Sequence, residues 1–154
     1  MNRNDIISVA ESQIGVVEEP AGSNRQKYGE WIGLNGYAWC AMFVSWVFDH
    51  AGAPLGKIDR EKGYVGCQSA YNFWKAAGQL TITPQPGDIV LFDWNKDGKH
   101  DHTGIFKRDL GNGYFESIEG NTAVGDDSNG GKVMLRKRAY SVAKFVDVTK
   151  YLKD

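Results

Sequence analysis

The hydrophobic period of the chain changes once, at Pro84 and Pro86, and that change limits the folds open to it. Before the prolines, apolar residues recur at three- and four-residue steps. The sets are Ile6, Val9, Ala10 with Gln13 or Ile14, then Tyr28, Trp31 and Ile32, then Met42, Phe43, Trp46 and Val47, then Ala70, Phe73, Trp74 and Ala77. Such spacing lays one apolar stripe along a helix. Asn4 or Asp5 can cap the first helix, which Gly15 ends, and Asn24 can cap the second. The third runs from about residue 40 to 51 with Gly52 at its C-terminus, and the fourth from about 68 to 77 with Gly78 after it. Beyond the prolines, short β-branched and aromatic runs predict strands over residues 88–92, 103–107, 113–119, 132–136 and 145–148. Helices first and strands after predict an α+β fold, with N-terminal helices packed on a C-terminal antiparallel meander.

The length of 154 residues suits one domain with a real core and is too short for two ordinary ones. A formal charge of -1 gives no electrostatic case for nucleic acid. No basic amphipathic stretch suits a membrane surface, and no long apolar run follows Met1. The expectation is therefore synthesis in the cytoplasm without a Sec-type signal peptide and without membrane insertion. The charged residues 150–154 read as the lead into a linker of a longer protein. Cys40 and Cys67 fall in different predicted helices, and nothing else suggests a disulfide scaffold, so both read as free thiols.

Cys40 stands where a glycine-containing loop gives way to the third helix. Unpaired amides and the positive end of the helix dipole favour thiolate over thiol there, which makes Cys40 a candidate nucleophile. The alternative is a small apolar residue that only packs. A cysteine nucleophile needs a base, and the base needs an orienting group. His50 lies near the far end of the Cys40 helix, roughly 15 Å away at 1.5 Å per residue. It reads as a half-exposed helix end, and His100 as a solvated turn residue. His102 opens the second strand, with Gly104 beyond it leaving room for close approach. Glu119 or Asn121 can accept from the other ring nitrogen; they share parity if the strand runs on through both. The other reading is a solvated strand end for Glu119 and a turn residue for Asn121.

Four motifs stand in order: 37-YAWCAMFVSW, 85-QPGDIVLF, 101-DHTGI and 118-IEGNT. Together they resemble the CHAP family of cysteine, histidine-dependent amidohydrolases/peptidases, within the papain-like NlpC/P60 group. The resemblance runs from about Asp5 to Leu152 and implies a single CHAP-like catalytic domain over 1–154 with a papain-like fold. It implies Cys40 as nucleophile, His102 as general base, Glu119 as the residue orienting the ring and Asn121 as a polar fourth member. Gln13 is a second oxyanion donor by analogy with papain-like enzymes, or an exposed helix residue. Tyr37, Trp39 and Trp94 are expected to line the substrate groove. The family cuts amide bonds of peptidoglycan, and many members are endolysins or autolysins. That implies a bacteriophage endolysin-like domain acting at the cell wall after holin-type release or dedicated secretion, with peptidoglycan as partner and a wall-binding domain elsewhere in a longer chain. Two alternatives stand beside it: a secreted antibacterial amidase toxin with an immunity partner, and a catalytically degenerate wall-binding module.

No cofactor is required for that chemistry. One loop nonetheless matches the opening of a calcium-binding loop, with Asp93, Asn95, Asp97, the Lys99 carbonyl and Asp101 at alternate positions and Gly98 at the sixth. The twelfth position is Gly104, where a bidentate carboxylate is needed. The same residues also make a good hairpin turn. Structural calcium and a plain turn are the two expectations.

Overall fold

The protein is described by a computed structural model covering residues 2–152. Four helices, α1 (Arg3–Ser12), α2 (Lys27–Ile32), α3 (Cys40–His50) and α4 (Cys67–Ala76), precede six strands. These are β1 (Leu80–Thr81), β2 (Ile89–Phe92), β3 (His102–Gly111), β4 (Tyr114–Thr122), β5 (Lys132–Ala139) and β6 (Ala143–Val146). The strands form one antiparallel sheet in the order β1-β6-β2-β3-β4-β5. The α+β expectation holds, with a correction to the topology. Only β2 to β5 form a meander. The short helical turn Tyr140–Val142 folds the chain back so that β6 pairs with β2.

The helix ends follow local chemistry. Asn2, rather than Asn4 or Asp5, caps α1: its side chain accepts from the Asp5 amide while Asp5 accepts from the Asn2 amide. The helix stops at Ser12, before Gly15. Gln26 takes the place expected of Asn24, its side chain accepting from the Gly29 amide. At the end of α3, Gly52 donates to the Asp49 carbonyl and Ala53 to that of Phe48. Gly52 has φ 79°, so the pair of bonds closes the helix in the left-handed manner glycine permits.

The sheet has two apolar faces. Ile89, Leu91, Ile105, Ile118 and Val133 join the main core beneath the helices. The alternate residues Val90, Phe92, Phe106, Phe115 and Phe145 form a second, aromatic cluster on the other side. α3 lies against β3 and β4 and is buried nearly all round, from Cys40 through Phe48 with only Trp46 half-exposed. The stripe expected of this helix is therefore too narrow; it is the central element of the domain. Gly120 is what lets it approach β4, since a Cβ there would lie 2.7 Å from Cβ of Phe43. In α4, Ala70 and Trp74 are buried as expected, whereas Phe73 turns outward. No helix among the described residues is long and apolar enough to cross a membrane.

Candidate active site

α3 begins at Cys40, and its N-cap, Trp39, makes no side-chain hydrogen bond to the first amides. The positive end of the helix is thus left to the sulfur. Cys40 is nearly buried, and its thiol is held well below its ordinary range. The largest cause is the neighbouring Cys67, whose Sγ lies 4.0 Å from that of Cys40. Burial opposes ionisation; contact with His102 and the Ala41 amide favour it.

His102 is the first residue of β3 and is fully buried. Its Nε2 donates to Oε1 of Glu119 at 2.8 Å. The remaining ring nitrogen, Nδ1, is buried without a hydrogen-bond partner, and Cys40 is the neighbour that most favours its charged form. Burial disfavours the charged ring, but the contacts with Cys40 and Glu119 outweigh it and hold the imidazole up at about 9. The ring packs against an aromatic pair, Phe92 at 5.6 Å and Trp94 at 5.7 Å between centroids. Gly104 makes room for side chains of β4, rather than for a helix packed across the sheet. A Cβ there would lie 2.6 Å from Cγ of Glu119.

Of the two residues open to orienting His102, Glu119 does so. Asn121 does not share its side, because β4 bulges between Glu119 and Thr122 and Asn121 adopts φ 57°. Its side chain instead accepts from the Gly131 amide and donates to Asn129. It secures the loop that follows β4.

Arg138, on β5, is a positioning residue that the sequence reading missed. Its Nε donates to Oε2 of Glu119 at 2.9 Å, and its Nη2 donates to Oε1. The guanidinium lies 4.8 Å from the Trp94 ring and also reaches Asp127 at 2.8 Å. Burial would push the Glu119 carboxyl up; Arg138 and His102 overcome it and hold the carboxylate ionised. A buried carboxylate requires a countercharge. That requirement, with basic residues at Arg136 and Arg138 in a period-two strand, was the available signal.

The other expected site residues divide. Tyr37 is 63% exposed beside Cys40 in the chain and is free to meet a substrate. Trp39 is corrected from groove wall to core. It is fully buried, stacks on Tyr28 at 5.6 Å and donates to Glu18. Trp94 packs on the His102 ring itself. Gln13 is nearly buried, with its amide bonded to Ser12 and its carbonyl to the Tyr28 hydroxyl, so the exposed position is excluded. His50 is half-exposed and stacks on Trp46, far from the chemistry as expected. His100 is corrected from solvated to buried, stacked on Tyr71 at 4.1 Å and bonded to Gln68.

In the loop over residues 93–101, for which calcium and a plain turn are the two expectations, the carboxylates are bonded to the loop's own amides. The Asp93 carboxylate accepts from the Asp97 and Gly98 amides, and Asp97 accepts from the Lys99 amide. Asn95 and Lys99 are exposed, and the Asp101 amide is bonded to the Phe92 carbonyl. Among the described residues, no three His, Cys, Asp or Glu side chains gather as a metal ion would need. The twelfth position, Gly104, is inside β3 and paired with Val90. The turn closes on its own amides.

A thiol at the start of a central helix, packed on an antiparallel sheet that carries a histidine oriented by a carboxylate, is the arrangement of a papain-like fold. The comparisons narrow the class. The CHAP domain family model matches residues 32–121, more than half the chain, and the protein belongs to that family. In fold it is similar to the crystal structure of the wild-type endolysin LysIME-EF1, with a TM-score of 0.58 at 16% identity. That match covers 95% of this chain and 63% of the endolysin chain, so this chain spans less than two thirds of it. No curated protein matches the sequence. Cys40, His102, Glu119 and Asn121 all fall inside the family match, whereas Arg138 lies beyond it.

Proposed function

We propose that the chain is a cysteine-dependent peptidoglycan hydrolase that cuts an amide bond of the bacterial cell wall, as the catalytic part of an endolysin-like protein. The observation carrying this reading is the buried Cys40–His102–Glu119 relay, with the thiol lowered and the ring raised so that both rest as an ion pair. Membership of the CHAP family and the endolysin-like fold support it. An intact relay also argues against a degenerate wall-binding module.

The thiolate of Cys40 attacks the amide carbonyl. Negative charge grows on the carbonyl oxygen, and the uncapped first amides of α3 are the donors closest to it. His102 gives its Nδ1 proton to the departing amine, leaving a thioester on Cys40. The neutral ring then takes a proton from water, the hydroxide attacks the thioester, and the acid product leaves. Glu119 holds the ring throughout, and Arg138 holds Glu119.

The bond is the N-acetylmuramoyl–L-alanine amide or a peptide bond of the stem or cross-bridge. The domain acts at the wall after release through a holin or a dedicated secretion route, and a wall-binding domain in a longer chain would target it. Digesting purified peptidoglycan and weighing the fragments decides the bond: amidase action frees stem peptides, endopeptidase action leaves part of each stem on sugar. Cys40→Ala removes the acylated atom and abolishes release while the fold, followed by circular dichroism, persists. Folded Cys40→Ala releasing fragments at the wild-type rate would overturn the mechanism.

A further inference from the structure

Cys67 is a buried thiol that the hydrolytic mechanism leaves without a chemical step. It is the first residue of α4, as Cys40 is the first of α3, so two helix N-termini converge on a pair of sulfurs 4.0 Å apart. Both cysteines are free, and each residue keeps 7% of its surface exposed. The place of Cys67 is built. The Asp59 carboxylate accepts from the Val65 and Gly66 amides and the Ser69 hydroxyl, fixing the loop that delivers α4. Beside the pair, Tyr64 is bonded through its hydroxyl to Thr103 and through its amide to Ser45 of α3.

We propose that Cys67 is the resolving thiol of Cys40, so that a peroxide converts the site to a Cys40–Cys67 disulfide, an inactive form that an external thiol reopens. The inference rests on Cys40 being the reactive thiolate. In the first step the Cys40 thiolate attacks one peroxide oxygen and the O–O bond breaks. The departing hydroxide takes the His102 proton as water, leaving a sulfenic acid on Cys40. In the second, the Cys67 sulfur attacks the Cys40 sulfur, the S–O bond breaks, and the leaving hydroxide takes the Cys67 proton as a second water. Two thiols and one peroxide thus become one disulfide and two waters. Two equivalents of a small thiol reverse it, being oxidised to their own disulfide.

The geometry favours the second step over escape of the intermediate. The attacking sulfur already lies 4.0 Å from its target, near van der Waals contact, at the first residue of each helix. While Cys40 is a thiolate, its bond to Cys67 is the main cause that pushes the Cys67 thiol well up. Oxidation of Cys40 to a neutral sulfenic acid removes that cause, so Cys67 becomes easier to ionise when it is needed.

The test is stoichiometric hydrogen peroxide on the whole chain, followed by intact mass and non-reducing peptide mapping. The expected product is about 2 Da lighter, with the Cys40 and Cys67 peptides joined and neither thiol alkylated. Dithiothreitol restores both the mass and the labelling of Cys40 by iodoacetamide. In Cys67→Ser and Cys67→Ala, each compared with its own untreated state, further peroxide, two equivalents in all for sulfinic acid or three for sulfonic acid, instead carries Cys40 to a product about 32 or 48 Da heavier, and thiol does not restore labelling. A wild-type product in which Cys67 remains a free thiol overturns the proposal. These readouts need no substrate. A failed link is therefore distinguishable from a failed assignment of peptidoglycan, which fragment analysis alone addresses.

Discussion

At the scale of single residues, the site is a chain of charges in which each member sets the next. His102 is held at about 9 against burial by Cys40 and Glu119, above the 6.5 of a free imidazole. Its contribution to folding is therefore present in full below about pH 6.5 and is lost as pH rises through about 9. Activity follows the same group. The basic limb of kcat/KM is expected near pH 9, where the ring loses the proton it must donate, and the acid limb where Cys40 becomes a thiol. Glu119→Gln weakens one support of the imidazolium, so the basic limb should move to lower pH; an unmoved limb would take Glu119 out of the relay. Arg138→Met leaves the Glu119 carboxylate buried without its partner, a loss of about 3–5 kcal/mol of stability. It should also move the basic limb to higher pH, because removing a nearby positive charge leaves the Glu119 carboxylate to the imidazolium alone. Arg138→Lys keeps the charge without the two-pronged geometry and should restore part of both. A wild-type pH profile in a destabilised Arg138→Met would make the arginine a brace for the fold alone.

At the scale of elements, the bends rather than the regular stretches decide what the site contains. β4 delivers Glu119 and then bulges, and the left-handed Asn121 turns its side chain to Asn129 and the Gly131 amide. Parity along the strand foretold a shared side for Glu119 and Asn121; one extra residue cancels it. The turn between β2 and β3 shows the same economy. Its acidic residues serve the amides of the turn, so His102 is placed by hydrogen bonds inside the loop. The melting temperature should accordingly be the same in millimolar calcium and in excess chelator. A clear rise with calcium, matched by heat of binding in calorimetry, would show the carboxylates regrouping around an ion. Cys40 and Gly52, by contrast, lie where periodicity and capping chemistry placed them, because both act within one helix.

At the scale of the whole molecule, the two ends of the described chain are tied together across the sheet. Arg3 on α1 donates to the Asp88 carboxylate at 2.6 Å and to the Thr149 hydroxyl at 3.1 Å. Asp88 is almost fully buried and also accepts from the Gln85 and Val148 amides. Asp88→Ala unbinds all of these, and each bond to a charged group contributes about 1.5–3 kcal/mol. Chemical denaturation should show a loss of at least that size, with the pH limbs of activity unchanged because the relay lies elsewhere. A shifted limb would mean that closure of the ends reaches the active site.

The sequence by itself determined the class of fold, the helix that carries Cys40 and the strand that His102 opens, and left Glu119 or Asn121 as the group to orient the ring. Those features rest on the 3.6- and two-residue periods, on caps and on short motifs, which are properties of neighbouring residues. Tertiary structure alone decided that β6 returns to β2, that Trp39 belongs to the core, that His100 is buried, that Arg138 holds Glu119, and that Cys67 meets Cys40. Each of these joins residues distant in the chain. Their partners are chosen by how helices and strands pack, and local spacing carries no record of that choice.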